Sequence, residues 1–168
     1  MSAPTLTEIQ AAFPNQFLPK IIGEPTYTTL NDAKERLLVN ATSIESSLGG
    51  GENGHSGLIF SAEDYEEISD IPFIIPNRPP KLPEVPEAKD ATANERANIV
   101  RAHKNSVYTY QTCANVHAAL KKQLADSMDP IYLKAVYNKK SGFQKTTLQK
   151  NATASVRKSQ HNQRSRPR

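Results

Sequence analysis

Apolar residues recur at helical spacing in two long segments of the chain. The first runs from about Tyr27 to Ser46, with Thr26 or Thr28 as its N-cap. Its apolar positions are Leu30, Ala33, Leu37, Leu38, Ala41 and Ile44. The second segment, 92–127, is predicted to form the longest helix. Its broad apolar face contains a first row with seven-residue spacing, formed by Val100, Val107, Ala114 and Met128. A second row three residues on is formed by His103, Tyr110, His117 and Leu124, and Val116 and Leu120 widen the face.

Shorter elements are predicted around these two helices. Capping residues predict a helix over about 7–13, within an arm that is too apolar to be a free tail. The serine at the start of 61–69 caps another helix, which follows an extended apolar segment at 58–60. An Asp-Pro pair begins a last short helix over about 129–141, because proline is tolerated in a first helical turn.

Glycine and proline separate these helices. Five of the seven glycines lie in 49–57, which predicts a loop that ends the first long helix. Six prolines between 72 and 86 predict an extended connector, which the apolar residues at 73–75 dock onto the body. After about Gln149 the periodicity is lost, and the polar composition predicts a disordered segment.

The predicted fold class is all-α: a small helical bundle with a long central helix, a Pro-rich connector and a disordered basic tail. We predict an N-terminal arm at 1–26, which packs on the body or on a neighbouring chain. A helical body at 27–149 contains the connector at 71–89, and the tail occupies 150–168. Hydrophobic residues make up 37% of the chain and Trp is absent, so we expect only a modest core.

The net charge of +4 hides an asymmetry. Residues 134–168 hold ten basic residues and no acidic one, which leaves 11 basic and 17 acidic residues, a net of −6, in residues 1–133. Lys and Arg neutralise phosphates, so the basic end is predicted to bind a polyanion such as RNA with salt-dependent affinity. The residues assigned to this binding are Lys139, Lys140, Lys145, Lys150, Arg157, Lys158, Arg164, Arg166 and Arg168.

No group of residues in the sequence matches a catalytic or cofactor-binding pattern. The glycine loop lacks the preceding strand and the Lys-Ser/Thr pair of a phosphate-binding loop. Cys113 and His117 share a helix face, but even with His103 they fall short of the about four ligands that zinc needs. The acidic cluster at 63–67 suits a solvated helix start. We therefore expect no enzyme, no catalytic residue, no metal, no cofactor and no small-molecule substrate.

Other features bear on where the chain is expected to act. A single cysteine excludes an internal disulfide. Residues 1–12 lack the basic and apolar regions of a signal peptide, and no stretch approaches the about 20 apolar residues of a membrane span. The expected location is cytoplasmic, with the nucleus as an alternative, and no membrane partner is expected.

Several motifs in a fixed order together resemble one family. They are Ile-Ile-Gly-Glu-Pro-Thr-Tyr at 21–27, Leu-Gly-Gly-Gly at 48–51, Gly-His-Ser-Gly-Leu at 54–58, Tyr65, and Asp-Pro-Ile-Tyr-Leu at 129–133 after the long helix. This order resembles the Gag polyprotein, in its capsid region, of Copia-type LTR retrotransposons, in the form common in algal and other protist genomes. The resemblance covers roughly residues 18–149.

The resemblance implies an all-helical capsid module that self-associates into a particle around the element's RNA. It implies no catalytic residue. Where the family continues beyond 143–148 into another apolar helix and later a zinc knuckle, this chain has an arginine-rich tail, so we expect a truncated or frame-shifted copy. Copies are expected to pair through the broad face of the long helix. The residues of this predicted face are Val100, Val107, Tyr110, Ala114, His117, Leu120, Leu124 and Met128.

Two alternatives stay open beside a Gag-like homo-oligomer. In one, the chain is a small nucleic-acid-binding module that acts through its basic C-terminal tail. That function predicts binding that weakens steeply with salt and vanishes when residues 150–168 are deleted. In the other, the chain is a relic without function, and nothing in the sequence excludes it.

Overall fold

The computed structural model describes residues 2–87 and 89–133, and within them the regular elements are all helical. The helices are α1 (Leu6–Ala12), α2 (Tyr27–Ser43), α3 (Ala62–Glu66), α4 (Ala93–Ser127) and α5 (Pro130–Leu133), with short 3-10 turns at Leu48–Gly50 and Ser56–Leu58. The prediction of an all-α fold with a long central helix is confirmed.

Side-chain caps fix where the helices begin. The side chains of three threonines, Thr5, Thr26 and Thr92, each accept a hydrogen bond from the backbone N–H three residues on. The side chain of that later residue in turn accepts a hydrogen bond from the backbone N–H of the threonine. These reciprocal bonds form capping boxes, which satisfy N–H groups that lack a partner inside the helix. Ser61 caps α3 in the simpler way, by accepting from the backbone of Asp64. The predicted starts of α2, α3 and α4 are therefore confirmed.

The core lies between the arm, α2 and the C-terminal half of α4. Ile9 and Phe13 of the arm pack with Leu37 and Ala41 of α2 and with Leu120 of α4, and all five are almost completely buried. The arm therefore packs on the body of its own chain, which was one of the two sequence-based expectations.

The amide side chains of Asn40 and Gln123 bind the backbone of Asn15 and so join the arm to both long helices. Asn40 Nδ2 donates to Gln123 Oε1 at 2.8 Å and to Asn15 O at 2.9 Å, and Asn15 N donates to Asn40 Oδ1 at 2.8 Å. Gln123 Nε2 also donates to Asn15 O at 2.9 Å. Asn40 is fully buried and Gln123 nearly so. A group in this network that lost its partner would stay unpaired away from water, so the network strongly favours one arrangement of the arm.

The glycine loop after α2 folds back onto the end of that helix. The backbone N–H of His55 donates to Ala41 O at 2.9 Å, and His55 Nδ1 donates to Ile44 O at 3.0 Å. These donors satisfy carbonyls that the helix end leaves free. α2 ends at Ser43, about three residues before the predicted end, and Ile44 is extended. Gly54 has a φ of 52° and lies against a carbonyl oxygen of α2, so a Cβ would not fit there.

Two local predictions for the segment around α3 are wrong. Residues 58–60 are not extended, because Leu58 belongs to a 3-10 turn and Leu58 and Ile59 turn inward to join the core. α3 ends at Glu66 instead of about Ser69. Tyr65 of α3 is held in place because its ring is buried and its hydroxyl donates to Gly49 O at 2.9 Å.

The Pro-rich segment at 72–87 has neither helix nor strand. Phe73 docks it onto the body, because its ring occupies the space that a side chain on Gly57 would need and lies 5.6 Å from the ring of Tyr65. Ile74 and Ile75 remain 68% and 50% exposed, so the prediction that these two also dock is wrong.

The Asp129-Pro130 pair starts α5, as the sequence predicts. The predicted continuation of this helix through Val136 and Tyr137, and the tail at 150–168, lie outside the described residues.

The amide network gives a direct stability test. Replacing Asn40→Ala leaves Asn15 N and Gln123 Oε1 without their partners. We expect the free energy of unfolding, measured by urea denaturation, to fall by about 2–4 kcal/mol. Asn31→Ala, at an exposed site on the same helix, removes only a bond to Glu35 and is expected to cost less than about 0.5 kcal/mol. Equal losses in the two variants would contradict a central role for the network.

Candidate functional site

The predicted face of α4 divides into a buried part and an accessible part. Leu120, Leu124 and Met128 are at most 4% exposed and pack in the core beside the arm and α2. These three residues contact their own chain, which corrects the expectation that they form a face for another copy. The periodicity identifies an apolar stripe but does not say which part of the molecule covers it.

The other five residues of the predicted face are exposed or half-buried. They are Val100, Val107, Tyr110, Ala114 and His117. The first buried residue of α4 is Thr112, so we call residues 93–111 the exposed half of α4. Val107 is 41% exposed at its middle. That the five accessible residues contact another copy stays a prediction.

The Pro-rich segment lies along the exposed half of α4 and leaves two grooves between itself and the helix. The first has a volume of about 780 Å³ and is lined mainly by prolines and by Ile99, Ala102 and His103. The second has a volume of about 710 Å³. We call it the cationic groove, and it is lined by Val85, Arg96, Ala97, Val100, Arg101, Lys104, Asn105 and Tyr108.

Three cations surround the apolar floor of the cationic groove. Arg96 and Lys104 lie four residues before and four after Val100, and Arg101 lies three residues before Lys104, so all three cations line the groove together with Val100. None of the three forms an ion pair with another described residue. Sequence reasoning missed these cations, although their spacing around Val100 was a signal that could have identified them.

A second charged surface lies on α3 and the turn that follows it. We call it the acidic patch, and its exposed carboxylates are those of Glu63, Asp64, Glu66, Glu67 and Asp70. Ile68 and Ile71 lie among them and are 45% and 56% exposed. The chain has no Lys or Arg between Arg36 and Arg78, and none of the five carboxylates pairs with a described cation.

The buried histidine of the glycine loop supports the loop's conformation. His55 is only 2% exposed, and burial lowers the pKa of this histidine despite its hydrogen bond to Ile44 O. The ring is therefore held neutral at ordinary pH. Its contacts with α2 and with the ring of Phe73 account for its position.

In the possible ligand pair on α4, the cysteine has the wrong protonation chemistry for a metal site. Cys113 is 2% exposed, and burial raises the pKa of its thiol to about 11, which disfavours the thiolate that binds metals. Burial, assisted by the charge of Lys121, lowers the pKa of His117 to about 4. Among residues 2–87 and 89–133, no three His, Cys, Asp or Glu side chains come together in a way that suits a metal ion.

The nine residues predicted to bind nucleic acid, from Lys139 to Arg168, lie outside the described part of the chain. None of the described helices combines the length and apolar character needed to cross a membrane.

Comparison of the chain with protein-family models, curated proteins and solved structures finds no match. The candidate functional site therefore consists of the exposed half of α4, its two grooves and the acidic patch.

The lowered pKa of His117 predicts a loss of stability in acid. The folded protein keeps this ring neutral down to about pH 4, whereas the unfolded chain takes up a proton near pH 6.5. Acidification between these values favours unfolding, by on the order of 1–3 kcal/mol from this group. In His117→Gln, the urea midpoint should fall less between pH 7 and pH 4 than in the unmodified protein. The lowered pKa of His55 destabilises both proteins in acid in the same way. If the urea midpoint falls equally in the variant and the unmodified protein, His117 is not the source of the acid sensitivity.

Proposed function

We propose that this chain is a Gag-like structural protein of a retrotransposon, which self-associates into capsid-type assemblies around RNA. The observation that carries the proposal is the exposed half of α4 with the Pro-rich segment beside it. The proposal assigns the chain no catalytic residue, metal or cofactor, and a cytoplasmic location.

Exposed apolar side chains are concentrated on this part of the molecule. Of the thirteen large hydrophobic residues that are exposed in the described part of the chain, eight lie at 68–85 and 107–108. Single apolar residues on a surface are ordinary, but a concentration of them marks an interaction surface. Along the chain, these residues run from just after α3, through the Pro-rich segment, to the middle of the exposed half of α4.

The length of α4 explains why its own chain leaves this surface uncovered. A helix of 35 residues is about 52 Å long, far longer than α1 or α2. The core covers it only from Thr112 onward. The motif order shared with Copia-type Gag capsid regions supports a second copy of this chain as the molecule that covers the rest.

The basic end of the chain supports a contact with RNA. Ten basic residues and no acidic one lie at 134–168, while residues 1–133 carry a net charge of −6. Phosphates would therefore be attracted to the tail and repelled by the body. The same observation supports a second candidate function, a nucleic-acid-binding module that acts through its tail without self-association.

Self-association predicts a molecular mass that rises with concentration in sedimentation equilibrium. Val107→Glu places a charge in the middle of the exposed half of α4, where burial against another copy would be costly. We expect this change to weaken association by at least roughly tenfold.

Val39→Glu is the matched control for this measurement. Val39 is 51% exposed on α2, away from the proposed surface, so the variant should associate like the unmodified protein. A monomer at every soluble concentration would contradict self-association. If Val39→Glu weakened association as much as Val107→Glu, the contact between copies would not be located on α4.

RNA binding through the tail predicts a strong dependence on salt. Replacing Arg157, Lys158, Arg164, Arg166 and Arg168 by Gln removes five cations from the full-length chain. For single-stranded RNA, the slope of log affinity against log salt should become shallower by about 0.7 per lost phosphate contact. Fluorescence anisotropy across a salt series measures this slope. Lys34→Gln on α2 is the control, and an unchanged slope in the five-fold variant would exclude the tail as the RNA site.

A further inference from the structure

We propose that copies of this chain join head to tail, with the acidic patch of one copy seated in the cationic groove of the next. This inference rests on the proposed self-association and names the two surfaces that meet. It follows from the distribution of charge and apolar side chains on the described residues.

The cationic groove has an apolar floor and a positive rim. Val100 and Tyr108 line the same groove as Arg96, Arg101 and Lys104, and its volume of about 710 Å³ admits several side chains. The three cations have no ion-pair partner among the described residues. An occupant that is both apolar and acidic would satisfy the floor and the rim together.

The acidic patch has the complementary arrangement. Ile68 and Ile71 are exposed in the same short segment as five carboxylates, which also have no ion-pair partner in the described part of the chain. Specific interfaces commonly combine an apolar centre with a polar rim. The patch and the groove each combine accessible apolar side chains with charges of one sign, and the two signs are opposite, so each suits the other.

Charge also argues against pairing either surface with its own equivalent. A symmetric contact between two cationic grooves would oppose three cations with three more, and a contact between two acidic patches would do the same with carboxylates. Like charges brought together at an interface strongly disfavour it. Because the two surfaces differ, their contact is heterologous and repeats from copy to copy, which gives a ring or an open filament.

The experiment uses full-length chains that each carry one altered surface. Arg101→Glu with Lys104→Glu reverses the groove, and Glu63→Lys with Glu67→Lys reverses the patch. All four side chains are exposed, and circular dichroism checks that each variant is folded. We expect each variant alone to associate at least roughly tenfold more weakly than the unmodified protein in analytical ultracentrifugation.

Mixing the two variants is the decisive test of the head-to-tail contact. The intact patch of the groove variant can bind the intact groove of the patch variant, and the two reversed surfaces also carry opposite charges. An equimolar mixture should therefore recover the association that each variant loses when it is alone. A chain that carries all four substitutions restores opposite charges and should assemble with itself again. Failure of both recoveries would overturn the head-to-tail contact.

The outcome of the unmodified chain separates this inference from the proposed function. If that chain never associates, self-association itself fails. If it associates and the patch variant matches it, the head-to-tail contact is overturned while self-association stands. Glu35→Lys and Lys34→Glu, at exposed sites on α2, are the controls for a change of charge alone and should leave association unaltered.

Discussion

The buried amide network of Asn15, Asn40 and Gln123 is the constraint on which the rest of the fold depends. It connects three parts of the chain that are distant in sequence, and every donor and acceptor in it needs its particular partner. A purely apolar contact would tolerate sliding of the arm, whereas these bonds permit one register. With the arm fixed there, Ile9 and Phe13 cover the C-terminal half of α4 and cannot reach further along it.

The uncovered surface is a consequence of that limit. Only residues from Thr112 onward find partners in the core, and the Pro-rich segment is anchored at Phe73 before it follows the exposed half of α4. Prolines cannot supply the N–H groups of a strand, and the segment contains too few docked side chains to bury the helix. The protein therefore presents apolar side chains and unpaired charges on the same accessible region, which is the basis of the proposed contact between copies.

Sequence reasoning succeeded where the determining interactions are local. Thr26, Ser61 and Thr92 cap helices through bonds that span three residues, so the pattern alone located their starts. It failed where distant residues decide. His55 ends α2 early by bonding back to Ala41, and the core draws Leu58 inward from an expected extended segment. For the same reason, the apolar stripe of α4 was visible in the sequence, but its division into a core and an accessible surface was not.

The unbroken geometry of α4 also sets distance and rotation across the molecule. The exposed half of the helix is about 28 Å long, and each residue adds about 1.5 Å and turns the direction of a side chain by about 100°. One extra residue just before Thr112 would swing Val100 and its neighbours to another side relative to the core, whereas seven extra residues would nearly restore their direction. The protein should therefore tolerate insertions in α4 that complete whole helical turns better than insertions that do not, whatever their length.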